Sequence, residues 1–195
     1  MNRAFVFITG EGDGSDFQMK RTIHYGDNTL VAFGVNTFEQ ALTACKILSF
    51  EEDCDLIELC GAFERKGAEI VKGLVSDRTK VAYTVHSPEA TSRLPILDGA
   101  KEVVSTYLFL MNEADGEVHV DFDHGTEVLK LIGVYSGQEA LDVSRQVVRD
   151  GSILIEVDSD LGEAVAAAIT EAIDRIPVGH VIMLDDQASS SGVDK

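Results

Sequence analysis

The sequence predicts an α/β fold made of two tandem, pseudo-symmetric units, each a mixed, mostly parallel sheet covered by helices. Three observations predict it. Short apolar runs such as AFVFI (Ala4 to Ile8) and DLIELC (Asp55 to Cys60) have the length and continuity of strands buried on both faces. They alternate with amphipathic helical stretches, the order that joins parallel strands through crossover helices. The plan is also written twice. At a separation of 99, Gly26, Leu30, Gly34, Val35, Ala41 and Leu42 meet Gly125, Leu129, Gly133, Val134, Ala140 and Leu141. At 98, Leu56, Ile57 and Glu58 meet Leu154, Ile155 and Glu156. Each unit reads as a hairpin followed by strand–helix–strand–helix–strand, over 1–86 and 106–184. Residues 87–105 read as a linker and 185–195 as a disordered acidic, polar tail. Ferredoxin-like α+β units are the alternative.

Taken in order, AFVFI is followed by GEGDGSD, whose GxGxG outline suggests a phosphate loop. Three acids and a following strand-like alternation exclude that reading, because the motif must open a helix. Phe17, Met19 and Ile23 share one face of a hairpin strand that turns at Gly26-Asp27-Asn28 and returns as TLVAFGV. Thr37 and Gln40 form a capping box for an amphipathic helix bearing Phe38, Ala41, Leu42, Cys45 and Leu48 on one face. DLIELC, a helix over 64–75 and KVAYTVH complete the unit. The linker holds two of the three prolines. The second unit repeats the order with TYLFLM, the hairpin GEVHVDFDHGTEVLKLIGV, a helix capped by Ser136 and Glu139 and ending near Gly151, then ILIEV, a helix through Ala172, and GHVIML.

The net charge of −18 argues against nucleic acid and anionic membranes as partners, since binding phosphate requires cationic side chains. The excess is uneven: 14 acids against 9 bases over 1–90, and 20 against 7 over 91–195. The start of the chain lacks the pattern of a secretory signal, and no run reaches the roughly 20 apolar residues of a membrane span. With three cysteines and no CxxC, the expectation is a reduced, cytoplasmic protein with neither a disulfide framework nor a thiolate metal site. No cofactor motif is present. A monomeric pseudo-dimer or a homodimer is expected.

The runs GVNTFEQA, DLIELCGAFERKGAEIV and KVAYTV resemble a bacterial family of short, single-unit proteins known as a domain of unknown function. Its members carry an LIELCGGF-type strand end. The resemblance covers 1–86 well and 106–184 as a diverged second copy. Ala62 replaces the family's second glycine, and the second copy has EVDSDL at the motif. The resemblance implies a compact α/β unit and no particular activity.

Ligands on parallel sheets sit beyond the C-terminal ends of the strands. That rule points to Cys60, Gly61 and His86, and to their counterparts Asp158, Ser159 and Leu184. Glu58 is an acid in an apolar strand, which requires either a raised pKa or a partner. Its repetition as Glu156 suggests a structural role shared by the halves, such as pairing across their interface. A catalytic role as general acid or base is the alternative. Cys60 at a helix start would gain thiolate character from the dipole, and with Glu58 and His86 it suggests a Cys–His–Glu constellation. A buried cysteine acting as a small hydrophobe is the competing reading. The N–H groups of Gly61, Ala62 and Phe63 suggest an anion site, with Arg65 and Lys66 nearby. His119, Asp121 and Asp123 share a strand face, but their alternation with Val118, Val120 and Phe122 reads as an amphipathic strand, so no metal site is assigned.

The functional expectation is therefore a protein that binds a small anionic metabolite at the strand ends of the first unit. An enzyme with a Cys60 thiolate nucleophile and a non-catalytic duplicated assembly module are the alternatives.

Overall fold

A computed structural model of the chain describes residues 1–9, 18–94, 103–112, 116–124 and 127–185, with backbone alone at Gln18 and His124. The GEGDGSD loop, Phe17, the tip of the second hairpin and most of the tail lie outside these residues. The first half runs β1 (Asn2–Ile8), β2 (Gln18–Tyr25), β3 (Asn28–Val35), α1 (Phe38–Phe50), β4 (Leu56–Leu59), α2 (Glu64–Lys72) and β5 (Lys80–His86). After a four-residue helix, α3 (Pro88–Thr91), the second half runs β6 (Val103–Leu110), β7 (His119–His124), β8 (Glu127–Val134), α4 (Gly137–Arg149), β9 (Leu154–Val157), α5 (Gly162–Ala172) and β10 (Val178–Met183).

Two boundaries differ from expectation. The apolar run Ala4–Ile8 stands before the hairpin, so each half reads strand, hairpin, helix, strand, helix, strand. Val103, Val104 and Ser105, expected in the linker, begin β6 because they pair with Glu127, Val128 and Leu129.

The ten strands among the described residues form one sheet in the order β2-β3-β1-β4-β5-β10-β9-β6-β8-β7. Within each half the central strands are parallel: β1 with β3 and β4, β4 with β5, and likewise β6 with β8 and β9, β9 with β10. The hairpins β2–β3 and β7–β8 and the junction β5–β10 are antiparallel. That pattern is mixed and mostly parallel, and excludes the ferredoxin-like alternative. The antiparallel junction relates the halves by a pseudo-twofold axis.

One face of the sheet carries the helices. Val6, Ile57 and Leu59 are fully buried on that side of the first half, and Leu108, Ile155 and Val157 on that of the second. Thr37 caps α1 by accepting from the Gln40 N–H, and the Gln40 side chain accepts from the Thr37 N–H, a reciprocal box. At α4, Ser136 accepts from the Glu139 N–H, while Glu139 reaches back one residue further, to the Tyr135 N–H. Gly151 follows α4 at φ +100°, a left-handed turn that suits glycine.

The other face folds back on itself. Phe5 stacks on Tyr107 with ring centroids 3.9 Å apart, Phe7 meets Phe122 edge to face at 5.8 Å, and Tyr25 packs on Phe109 at 5.5 Å. The Arg21 guanidinium sits 5.3 Å over the Phe122 ring. Every one of these contacts joins one half to the other. Aromatic pairs add about 0.5–1.5 kcal/mol each beyond the area they bury, so this seam binds the halves into one body. Among the described residues no helix is long and apolar enough to cross a membrane.

Candidate functional site

Because the halves face each other about the pseudo-twofold, the C-terminal strand ends of one half meet the N-terminal strand ends of the other. The sheet interior therefore has two equivalent ends. Strand register fixes the equivalences: Phe5 pairs with Glu58 as Tyr107 pairs with Glu156, and Arg3 with Leu56 as Ser105 with Leu154.

One end is filled by charge. Glu58 is completely buried, and Arg3 is 1% exposed. Arg3 Nη2 donates to Glu58 Oε1 at 3.1 Å, and Nη1 donates to Asp158 Oδ2 at 2.9 Å and Asp160 Oδ2 at 3.1 Å. Tyr107 donates its hydroxyl to Glu58 Oε2 at 2.5 Å, and the N–H and Oγ of Ser159 donate to Oε1 at 3.1 and 2.7 Å. Burial acts to lower the Arg3 pKa, but Glu58, Tyr107, Asp158 and Asp160 outweigh it and raise it, so the guanidinium stays protonated. Burial and the neighbouring Glu58 push Asp158 up to about 7, with Arg3 acting against them. Asp158 also accepts from the N–H groups of Leu110 and Leu161.

The other end is open. A cavity of about 620 Å³ reaches the strand ends of the first half at Thr9, Cys60 and His86, and the strand starts of the second at Val103, Ser105 and Leu154. Phe5, Phe7, Met19, Phe122 and Leu129 form its apolar walls. Its acids are Glu127 and Glu156; among the described residues no Lys or Arg lines it. Glu156 is 5% exposed and accepts the Gly61 N–H at 2.8 Å. Burial pushes its carboxyl up to about 7, while that N–H and the Thr84 hydroxyl facing it act to lower it. The His86 ring lies against Gly61, where an added Cβ would meet Cε1 at 2.8 Å, so a side chain at 61 would displace it. Burial, then the nearby His180, lower the His86 pKa, which leaves the ring neutral.

Cys60, Gly61, Ala62 and His86 thus meet at one cavity. Glu58 does not join them: its carboxylate lies at the charged end, and Glu156 from the second half takes the place beside Gly61. The Cys–His–Glu constellation with Glu58 is not assembled. Nor is Cys60 an activated thiol. It precedes a 3-10 turn (Gly61–Phe63) rather than an α-helix, and burial followed by Glu156 pushes it up to about 12, against the N–H groups of Ile8 and Ala62. Iodoacetamide at pH 8 is expected to leave Cys60 unmodified in the native chain and to react on denaturation, read by mass spectrometry of digests. Native labelling at the rate of a free thiol would restore the nucleophile reading. Cys45 and Cys54 are buried as well.

The donors expected to hold an anion are occupied. Gly61 gives its N–H to Glu156, Ala62 faces the Cys60 sulfur, and Phe63 donates to the Cys60 carbonyl at 3.1 Å. The Phe63 ring packs on Phe38 at 5.8 Å, away from the cavity. Arg65 pairs with Glu69 on the exposed face of α2. On β7, His119 and Asp121 pair at 3.1 Å in solvent, and the described residues hold no cluster of three metal-ligating groups.

Both unit-length stretches, residues 1–99 and 104–192, match the same family model, described as a family of unknown function, DUF6506. The chain belongs to the DUF6506 family. It carries that family's unit twice, as the internal match and the pseudo-twofold both require. No curated protein matches this DUF6506 chain. Among solved structures, the crystal structure of transcription regulator CcpA of Lactococcus lactis aligns with it at 13% identity and a TM-score of 0.27, covering 76% of this chain and 66% of that one. A score that low carries no argument about fold or function.

Sequence reasoning missed Arg3, Tyr107 and Ser105. A signal for them was present. Arg3 is in phase with Phe5 and Phe7 on a strand too apolar to have a solvent face, so its charge had to be met inside.

Proposed function

We propose that the cavity between the halves binds a small, largely apolar molecule. The observation that carries the reading is the combination of volume and lining. About 620 Å³ lies within the range of roughly 300–1,000 Å³ typical of ligand sites, and aromatic walls surround one buried carboxyl group. Glu156 and His86, at one end of an apolar chamber, supply the few polar contacts that orient a bound molecule.

Ligand-observed NMR with a set of small aromatic fragments tests this. Wild-type protein is expected to bind several of them in the micromolar to millimolar range. Ser105→Phe, which places a ring in the chamber, is expected to abolish that binding with the fold intact by circular dichroism. Fragments that bind equally to both proteins, or to neither, would end the reading.

A further inference from the structure

The two ends of the sheet interior are the same site built twice, and one of them displays its own occupant. At the charged end Glu58 receives four donors: Arg3 Nη2, the Tyr107 hydroxyl, and the N–H and Oγ of Ser159. Strand register and the separation of 98 give the counterparts at the open end. Ser105 stands for Arg3, Phe5 for Tyr107, Gly61 for Ser159, and Glu156 for Glu58. Of the four donors, the backbone N–H alone persists, from Gly61 to Glu156. The acids that share Arg3 are replaced too: Cys60 stands for Asp158 and Ala62 for Asp160. What remains is a buried carboxyl group, a retained backbone clamp and, in place of a guanidinium, open space lined by Ser105 and Phe5.

We infer that the ligand of this cavity carries a cationic guanidinium, amidinium or primary ammonium group on a flat apolar body, and that this group pairs with Glu156 as Arg3 pairs with Glu58. The inference rests on the cavity being a binding site, and gives that site a ligand class. Three further features agree. Among the described residues that line the cavity, none is Lys or Arg. The walls of the cavity include the Phe5 and Phe122 rings, which suit a flat apolar body. The N–H groups that would favour an anion are already engaged.

Three probes of equal shape separate the charge states: benzamidine, benzamide and benzoate. Titrated by NMR against the full chain at about pH 8.5, benzamidine is expected to bind about tenfold or more tightly than benzamide, with benzoate weakest. Glu156→Gln is expected to erase the advantage of benzamidine over benzamide. Ser105→Arg should supply an internal guanidinium and lose benzamidine binding. Equal binding of the three, a preference for benzoate, or an advantage that survives Glu156→Gln would each overturn the cationic class while leaving the cavity a binding site. If none of the three binds, the cationic class is overturned as well. The aromatic fragments then decide whether the cavity falls with it.

Discussion

Replacing Arg3 with Met will destabilise the chain by about 3–5 kcal/mol at pH 8, the range for breaking a buried ion pair from one side. The substitution keeps most of the side-chain volume, so the loss is electrostatic. It leaves Glu58 and Asp158, both fully buried, without the guanidinium that pairs with them both. For a chain of this length the melting temperature is expected to fall by about 10 °C. The effect has a pH signature. The Asp158 pKa of about 7 lies above the unfolded value of about 3.9, so the folded state holds a proton that the unfolded state has lost between these limits. Its contribution therefore declines as pH rises through that window. Removing Arg3 removes the influence that lowers Asp158, so the window extends upward. The gap between wild type and variant should be smallest near pH 5 and widest near pH 8, measured by urea unfolding. A loss below about 1 kcal/mol at pH 8 would show that the cluster is not a keystone of the interface.

Glu156→Gln should do the opposite. Glutamine keeps a carbonyl oxygen for the Gly61 N–H and sheds the charge. With a folded pKa of about 7 against about 4.3 unfolded, the carboxyl group costs the native state about 4 kcal/mol once pH exceeds that value, and nothing below about pH 4. The variant should thus be more stable than wild type at pH 8 and equal to it near pH 4.5. Urea midpoints at the two pH values check this; the same difference at both would mean that burial does not perturb Glu156. A residue whose removal raises stability and erases the preference for a cationic ligand is what the trade-off between stability and function leads one to expect at a site.

Much of this was legible in the chain. The repeat at 98 and 99 was visible residue by residue, and with the strand–helix alternation it implied two parallel-stranded units. The rule that ligands gather at strand C-termini led to Cys60, Gly61 and His86, which do meet at one cavity. The repetition of Glu58 as Glu156 pointed to contact between the halves, and each carboxylate does bond to the other half. The partner of Glu58 was not legible, because Arg3 reaches it across a strand pair, and Asp158 meets Arg3 across 155 positions. The surroundings of the expected anion site were not legible for a related reason. The expectation treated the N–H groups at Gly61–Phe63 as free, and what occupies the first of them comes from the opposite half, 95 positions away. Periodicity describes the faces of an element; it is silent on which distant face is laid against it.

The antiparallel pairing of β5 with β10 has a consequence for how such a protein can change. Were the halves separate identical chains joined by that same pairing, every substitution would arrive at both ends at once. An arginine at position 3 would plug both chambers, and a serine there would strip the cation from both acids. Covalent joining frees the ends from that constraint. One end can become a permanent electrostatic rivet while the other is hollowed out, each under its own selection. The asymmetry between Arg3 and Ser105 is a division of labour that a symmetric dimer could not inherit.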